Sequence, residues 1–549
     1  ETTLKTFIPL RNLVRIKFLT THSSIRNNIM PRLTAPCLFA LFTLLFLTTD
    51  ISFATEPVNI GSRLELMVDD TLIESRSEEA RFELHHPTPR EIVFTYDKPW
   101  EGSGCGYQSI FKDGDKYRMY YKAWHLDVQE KKLGPNNSNF TCYAESDDGI
   151  HWKRPDLGLF SFPPKSGDKN NNIVIGKAYR DWMKSAKPDP VHPAVFKDEN
   201  PNCPADAKYK AILRSRGPHG LLVLKSPDGI HWSLLSEKPV ITDGAFDSEN
   251  LAFWDPATGQ YRAYWRYFTK GTTNEKDWKP SGLRDIRTAT SPDLLHWSKP
   301  QDLKYGDAPP EQLYTNQIKP YYRAPHILVG FPTRYIERGW SKSMEELPEY
   351  KHRKMRSSIS NRYGMAITEG LFMTSRDGVN FKRWPEAFLR PGIERQGTWA
   401  YGHQYIGWQM VETKSDVEGA PNEISLYATE GYWTGNSNQL RRYTMRIDGF
   451  VSINAPLKGG EITTKPITFT GKELKLNFSS SAAGGILVEL QTPEGKPIAG
   501  FTEADCNELF GDTISREVSW KNGSDVSSLA GKPVKLKIKL KDADLYSFK

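Results

Sequence analysis

The stretch "FDSENLAFWD" (246–255) sets two acids and an amide at the mouth of an apolar run. Asp247 precedes the run and Glu249 follows two residues on, so both carboxyl groups point the same way in an extended chain. Two carboxyl groups in different protonation states can cleave an acetal. One acid protonates the leaving oxygen, and one carboxylate serves as nucleophile or base. Glu101, behind Trp100 and Asp97, and Glu394 in "PGIERQGTWAYGHQ" (391–404) sit at comparable places. The catalytic candidates are therefore Asp247, Glu249, Glu101 and Glu394, with Asp97 and Glu369 as lesser ones. Candidates for holding a substrate are Trp100, Gln108, His192, Asn250, Asn316, Gln317, Trp399, Tyr401 and His403. Each also has a plain structural role open to it: a turn charge, a surface pair such as Glu394 with Arg395, a packing tryptophan or a hydrogen-bonded histidine.

Acids so far apart in sequence need a scaffold to gather them, and the chain carries a repeat that would build one. The turn "SDDGIHW" (146–152) returns as "SPDGIHW" (226–232), "SPDLLHW" (291–297) and "SRDGVNF" (375–381). Its Asp can accept backbone N–H groups and tie the turn to itself. Its closing aromatic would pack between neighbouring sheets. The Ser-to-Ser steps are 80, 65 and 84 residues.

Each box follows three short strands, for example "YQSIFKDG", "KYRMYYKAW" (116–124) and "TCYAE". Three strands, a boxed turn and an edge strand make a four-stranded blade repeated around an axis. A fifth unit without the box runs through "WAYGHQYIGWQMVE" (399–412), "EISLYATEG" (423–431) and "LRRYTMRIDGFVSI" (440–453). The segment "SRLELMVDDTLIES" (62–75) is the expected closing strand. Beyond Pro456, "ELKLNF", "ILVELQ" and "VKLKIKLK" alternate apolar and polar residues, as half-buried antiparallel strands do. The expected architecture is all-β: a leader over 1–54, a five-bladed propeller over 55–454 and a β-sandwich over 455–549. Inner strands of such a ring start around one axial hollow, where acids from different blades meet.

Hydrophobic content of 38% with 25% charged residues is that of a globular protein. Of the formal charge of +7, +4 falls in residues 1–54, which leaves too little for nucleic acid. "CLFALFTLLFLTTDISFA" (37–54), behind Arg32, reads as a secretory signal starting at Met30 and cleaved after Ala54. The protein is expected to be secreted or periplasmic. Cys105, Cys142, Cys203 and Cys506 allow three full pairings, Cys105 with Cys142 among them, or scattered buried thiols. No zinc spacing is present.

The boxes, the five units, the trailing strands and the leader together resemble the five-bladed propeller glycosidases, closest to proteins labelled glycoside hydrolase family 32-like. In place of that family's "WMNDPNG" strand stands "PWEGSGCGYQ" (99–108), and neither an "RDP" nor an "EC" motif occurs. The resemblance implies an exported glycoside hydrolase acting on a poly- or oligosaccharide, with no cofactor beyond room for a structural calcium at the hub. Alternatives are a lectin-like propeller without turnover, a sialidase-type enzyme and a glycoside phosphorylase. The insertion 336–362 carries Arg338, Lys342, Lys351, Arg353, Lys354, Arg356 and Arg362, which would suit anionic sugars if it covers the hollow. Its own acids make a solvated helical excursion the simpler reading.

Overall fold

The computed structural model describes residues 56–134, 136, 138–176, 186–274 and 276–549. The secretory signal expected over 30–54 lies outside the described residues, among which no helix is long and apolar enough to cross a membrane.

Five antiparallel sheets follow one another along the chain as blades. Blade one is Gly106–Asp113, Lys116–Trp124, Asn139–Ser146 and Trp152–Lys153, with Ile173–Ile175 added beside the third strand. Blade two is Pro188–Lys197, Tyr209–Arg216, His219–Ser226 and Ser233–Leu234. Blade three is Leu251–Asp255, Gln260–Thr273, Trp278–Ser291 and Gln301–Asp302. Blade four is Lys319–Tyr321, Ala324–Gly330, Met373–Ser375 and Lys382–Arg383, and Thr333–Glu337 pairs with Ala366–Gly370 as a separate hairpin. Because each blade is covered on both faces, its middle strands are unbroken buried runs. Leu221, Leu222, Val223 and Leu224 are all fully buried.

Inner strands touch their neighbours directly. Ile110 N donates to Trp408 O (3.0 Å), Val195 N to Ser109 Oγ (2.9 Å), Trp408 Nε1 to Ile318 O (3.0 Å) and Ser248 Oγ to Tyr314 O (2.7 Å). These bonds run between blades five and one, one and two, four and five, and three and four.

The repeated turn is the same device four times. In the first copy Asp148 Oδ1 accepts Ile150 N and His151 N, both at 2.8 Å, while Ser146 Oγ donates to the same oxygen at 2.9 Å. Asp228, Asp293 and Asp377 repeat these bonds. The closing aromatic reaches back to the preceding blade. Trp152 meets Tyr427, Trp232 meets Tyr120 and Phe381 meets Tyr264, each edge-on at 6.1–6.2 Å between centroids. Tyr427 OH and Tyr264 OH donate to the carbonyls of Gly149 and Gly378. At Gly229 (φ +82°) a Cβ would stand 2.3 Å from Tyr120 OH, so only glycine fits. The box is thus a clip between blades, seen at the five–one, one–two and three–four interfaces, which is why it recurs around the ring rather than at one site.

Blade five is Val411–Thr413, Glu423–Glu430, Gln439–Met445 and, as its outer strand, Thr88–Thr95. The closing strand is therefore 88–95 and not the expected 62–75. Within the latter, Glu65–Leu66 and Ile73–Arg76 pair instead with Lys535–Phe548 and Gly460–Thr464. Glu65 explains the choice. It is buried under Arg63 (2.6 Å), Arg376 (2.9 Å) and His326 (3.1 Å), partners an outer blade edge does not offer. Thr88–Thr95 carries Pro89 and half-exposed charges, as an edge strand tolerates. The C-terminal strands join Val451–Ala455, Arg81–Leu84 and the two segments above in one eight-stranded antiparallel sheet. All four cysteines among the described residues are free thiols.

Candidate active site

The inner strands of blades one to three each end at or beside an aspartate, and the second strand of each of these blades carries, among its three cations, a pair four residues apart. At the strand's first end stand Arg118, Lys210 and Arg262; at its second end stand Lys122, Arg214 and Arg266. The second set lies beside the starts of the inner strands, where Asp189, His192, Asp247 and Glu249 also sit. This brings blades one, two and three into one electrostatic cluster.

Glu249 is fully enclosed. Gln317 Nε2 donates to its Oε2 at 2.6 Å, while its Oε1 has no protein partner among the described residues. Burial pushes its pKa well above the usual carboxylate range, an effect that Gln317 and Lys122 only partly counter. Asp247, two residues earlier, turns a half-exposed side chain (49%) to solvent and pairs with Arg266. Burial opposes its ionisation, but Arg266, His192 and Arg214 outweigh that and hold its pKa below the ordinary value. Ser248 between them is pinned to Tyr314 O, and Asn250 Nδ2 donates to Ser248 O (2.7 Å) and Phe246 O (3.2 Å). Asn250 thus fixes the turn that presents the two acids.

Asp189 is buried, with Oδ2 3.0 Å from His192 Nδ1 and Oδ1 accepting Arg216 Nη2 at 3.1 Å. Burial opposes its charge, yet His192 and Arg216 hold its pKa well below the usual range. Burial lowers the pKa of His192, against the opposing pull of Asp189. Lys122 is buried among the rings of Trp124 (4.6 Å), Tyr107 (4.8 Å) and Tyr432 (5.4 Å), and donates to Tyr432 OH at 3.0 Å. Burial pushes its pKa down to about 8 against the opposing pull of Cys105, Asp189 and Glu249.

A wall of aromatics from blades one, four and five adjoins this cluster: Tyr107, Tyr314, Tyr335, Tyr401, Tyr405, Tyr432 and Trp433. Tyr314 stacks on Tyr405 (5.6 Å, 15°), and Tyr401 OH donates to Tyr314 OH at 3.0 Å. Flat apolar rings with polar rims suit the faces of sugar rings.

Several sequence candidates serve the scaffold instead. Glu101 is buried under a two-pronged pair with Arg154 (2.8 and 2.9 Å) and also accepts Tyr121 OH and Lys98 N, so its lone pairs are taken. Asp97 stands 3.7 Å from the same Arg154. Trp100 packs on Phe162 and donates to Asn172, inside blade one. Glu394 is exposed on its loop. Glu369 pairs with Arg334. Trp399 donates to Gly392 O and lines a separate cavity of about 500 Å³ with Arg334, Glu369 and Arg390. His403 is buried against Pro391 O, and burial takes its pKa to about 4. Gln108 donates to Tyr96 OH (2.7 Å) and keeps its carbonyl oxygen unpartnered among the described residues. Asn316 supports the bend that aims Gln317, whose φ is +46°. Of the candidates, Asp247, Glu249, His192, Gln317 and Tyr401 thus belong to the cluster or its wall.

Sequence reasoning missed Lys122, Asp189, Arg214 and Arg266. Their signal was present: laid over one another, "KYRMYYK", "KYKAILR" and "QYRAYWR" put Lys122, Arg214 and Arg266 at the same seventh position. Among the described residues no group of three or more His, Cys, Asp or Glu is placed to hold a metal ion, at the hub or elsewhere.

No family model and no curated protein matches the chain. Solved structures resemble the chain at low identity. A complex of BT0996 with RGII is 12% identical, with 66% of this chain and 92% of that one covered and a TM-score of 0.39. A glycoside hydrolase family 43 arabinoxylan arabinofuranohydrolase from Bacillus subtilis, in complex with cellotetraose, is 12% identical, with 82% and 96% covered and a TM-score of 0.37. An N-acetylgalactosamine deacetylase from F. plautii, in complex with blood group B trisaccharide, is 10% identical, with 66% and 94% covered and a TM-score of 0.39. At these scores the likeness assigns no role to any residue of the cluster.

Proposed function

We propose that the protein is an exported glycoside hydrolase with Glu249 as general acid and Asp247 as the ionised partner. One observation carries the reading. Two carboxyl groups two residues apart are shifted in opposite directions: burial raises the pKa of the enclosed Glu249, while Arg266 outweighs burial and lowers that of Asp247, whose side chain reaches solvent. Environments that push neighbouring acids apart assign the acid and the base. Glu249, whose pKa burial raises, has one oxygen without a protein partner among the described residues, and in this reading that oxygen carries the proton for the glycosidic oxygen. Asp247 serves as base or nucleophile at the anomeric carbon. The pair Asp189–His192 flanks Asp247 and keeps the imidazole oriented, and the buried tyrosine wall adjoins it. The C-terminal sheet, whose strand Lys475–Gln491 breaks register between Ser480 and Gly485, is read as a β-sandwich module beside the ring.

The test is turnover on a polysaccharide panel. Glu249→Gln is expected to lower kcat by about 10²–10⁴-fold on natural glycans, and much less on aryl glycosides whose leaving group needs no proton. Asp247→Asn is expected to lower both. Equal loss on both substrate types in Glu249→Gln removes it as the acid. Glycan binding without turnover by the unaltered chain makes the protein a lectin.

A further inference from the structure

The aromatic wall carries more positive charge than the two acids can use. Arg266 lies over Tyr314 (4.9 Å) with Nη2 on Asp247, while its Nε and Nη1 are buried without a partner among the described residues. Arg284 lies over Tyr335 (4.7 Å) and Tyr314 (5.9 Å) and bonds the neutral amide of Gln312. Arg362 lies over Tyr363 (5.2 Å) and Tyr401 (5.7 Å). The rings beneath them touch: Tyr314, Tyr335 and Tyr401 are 5.9–6.1 Å apart between centroids. Three guanidinium groups therefore share one ring cluster, and only Arg266 has a carboxylate within ion-pair distance among the described residues.

The insertion explains how the third arrives. Its helix Tyr350–Ser357 turns Arg353 and Arg356 inward to backbone carbonyls, Arg353 to Met344 and Gly364 (both 3.1 Å) and Arg356 to Tyr432 (3.3 Å). His352 Nε2 lies 3.0 Å from Trp433 O. Lys354 stacks on Trp340 (3.8 Å), and Lys342 faces Glu346. Arg356 and His352 thus fasten the insertion to the wall, while Arg353, Lys354 and Lys342 hold the insertion to itself. Arg362 is the one whose charge reaches the ring cluster.

Stacking holds a guanidinium by its face and leaves its N–H edge free, the geometry that grips carboxylate, sulfate or phosphate. A buried N–H pair left without an acceptor is costly, which a ligand oxyanion would relieve. We propose that this wall is an oxyanion subsite formed by Arg266, Arg284 and Arg362. Its occupant is the carboxylate or sulfate of an acidic glycan, or free phosphate. The proposal rests on the glycan-active reading of the same hollow.

The experiment titrates the full chain carrying Glu249→Gln, by calorimetry, with uronate and sulfated oligosaccharides, their carboxyl-reduced or desulfated counterparts, and inorganic phosphate. An acidic probe is expected to bind at least tenfold tighter than its neutral counterpart. Arg284→Gln with Arg362→Gln is expected to bring that ratio toward one at an unchanged melting temperature. Phosphate binding that is lost in the same double variant, without an acidic-glycan preference, supports the subsite with a free ion as its source. Equal affinity for charged and neutral probes with no phosphate binding overturns the subsite. If the unaltered chain still cleaves a neutral glycan in that case, the hydrolase reading stands alone. Tight acidic-glycan binding without turnover of that glycan by the unaltered chain leaves the subsite standing and removes the hydrolase.

Discussion

The two ends of the same three strands make opposite use of the same residue types. At one end Arg118 meets Asp113 (2.8 Å), Lys210 meets Asp198, and Arg262 meets Asp255 (3.0 Å). Each cation there has an aspartate on the neighbouring inner strand or just past its end, and Arg262 and Asp255 are both buried. Four residues on, Lys122 has aromatic rings and a tyrosine hydroxyl, Arg214 has no ion pair among the described residues, and Arg266 shares Asp247 with solvent. A cation with a dedicated, desolvated partner is scaffold, because removing either member strands the other. A cation left short of partners is available to a ligand. Position along one strand separates the two roles, and composition does not.

The largest expected effect tests the scaffold end. Asp255→Asn leaves Arg262 buried without its charge partner and is expected to cost about 3–5 kcal/mol of stability. Denaturant unfolding measures it, with activity per folded molecule unchanged. A cost below about 1 kcal/mol would erase the distinction between the ends.

A middle-sized effect tests the site end. Because burial raises the pKa of Glu249 in the folded protein, the native state binds its proton more tightly than the unfolded chain. Stability from this group is fully present below the ordinary value of 4.5 and is lost as pH rises toward the raised one. Glu249→Gln cannot ionise. Relative to that variant, the unaltered protein should lose stability from about pH 4.5 upward, by at most about 1.4 kcal/mol per pH unit. Parallel curves would mean that Glu249 ionises freely.

The ring was legible in the sequence because its clips repeat. "SDDGIHW" and its copies announce their own bonds, and the strand "KYRMYYKAW" (116–124) is recovered as Lys116–Trp124. The closing strand was not legible. Residues 62–75 and 88–95 both have a strand's composition, and the choice between them rests on Arg376 and His326, distant in sequence from Glu65. The site was legible in part for the same reason. Glu101 and Glu249 look alike as acids ahead of an inner strand. What separates them is supplied from afar, by Arg154 in one case and Gln317 in the other. Local sequence states that an acid is present, and the fold decides whether its charge is answered.

Lys122 offers the smallest and sharpest test of that rule. It occupies the site end of blade one, and its charge pulls the pKa of Glu249 down. With its own pKa at about 8, it loses that charge within the working range of a neutral-pH enzyme. The unaltered protein should therefore show an inflection at about pH 8 in kcat/KM. Lys122→Met keeps the apolar stem in its aromatic cage and removes the charge at every pH. Glu249 then holds its proton to higher pH, so that inflection should vanish and the alkaline limb should move upward. A purely structural Lys122 would lower activity evenly and leave the shape of the profile alone. An unmoved profile would place Lys122 with Lys210, as a part of the scaffold.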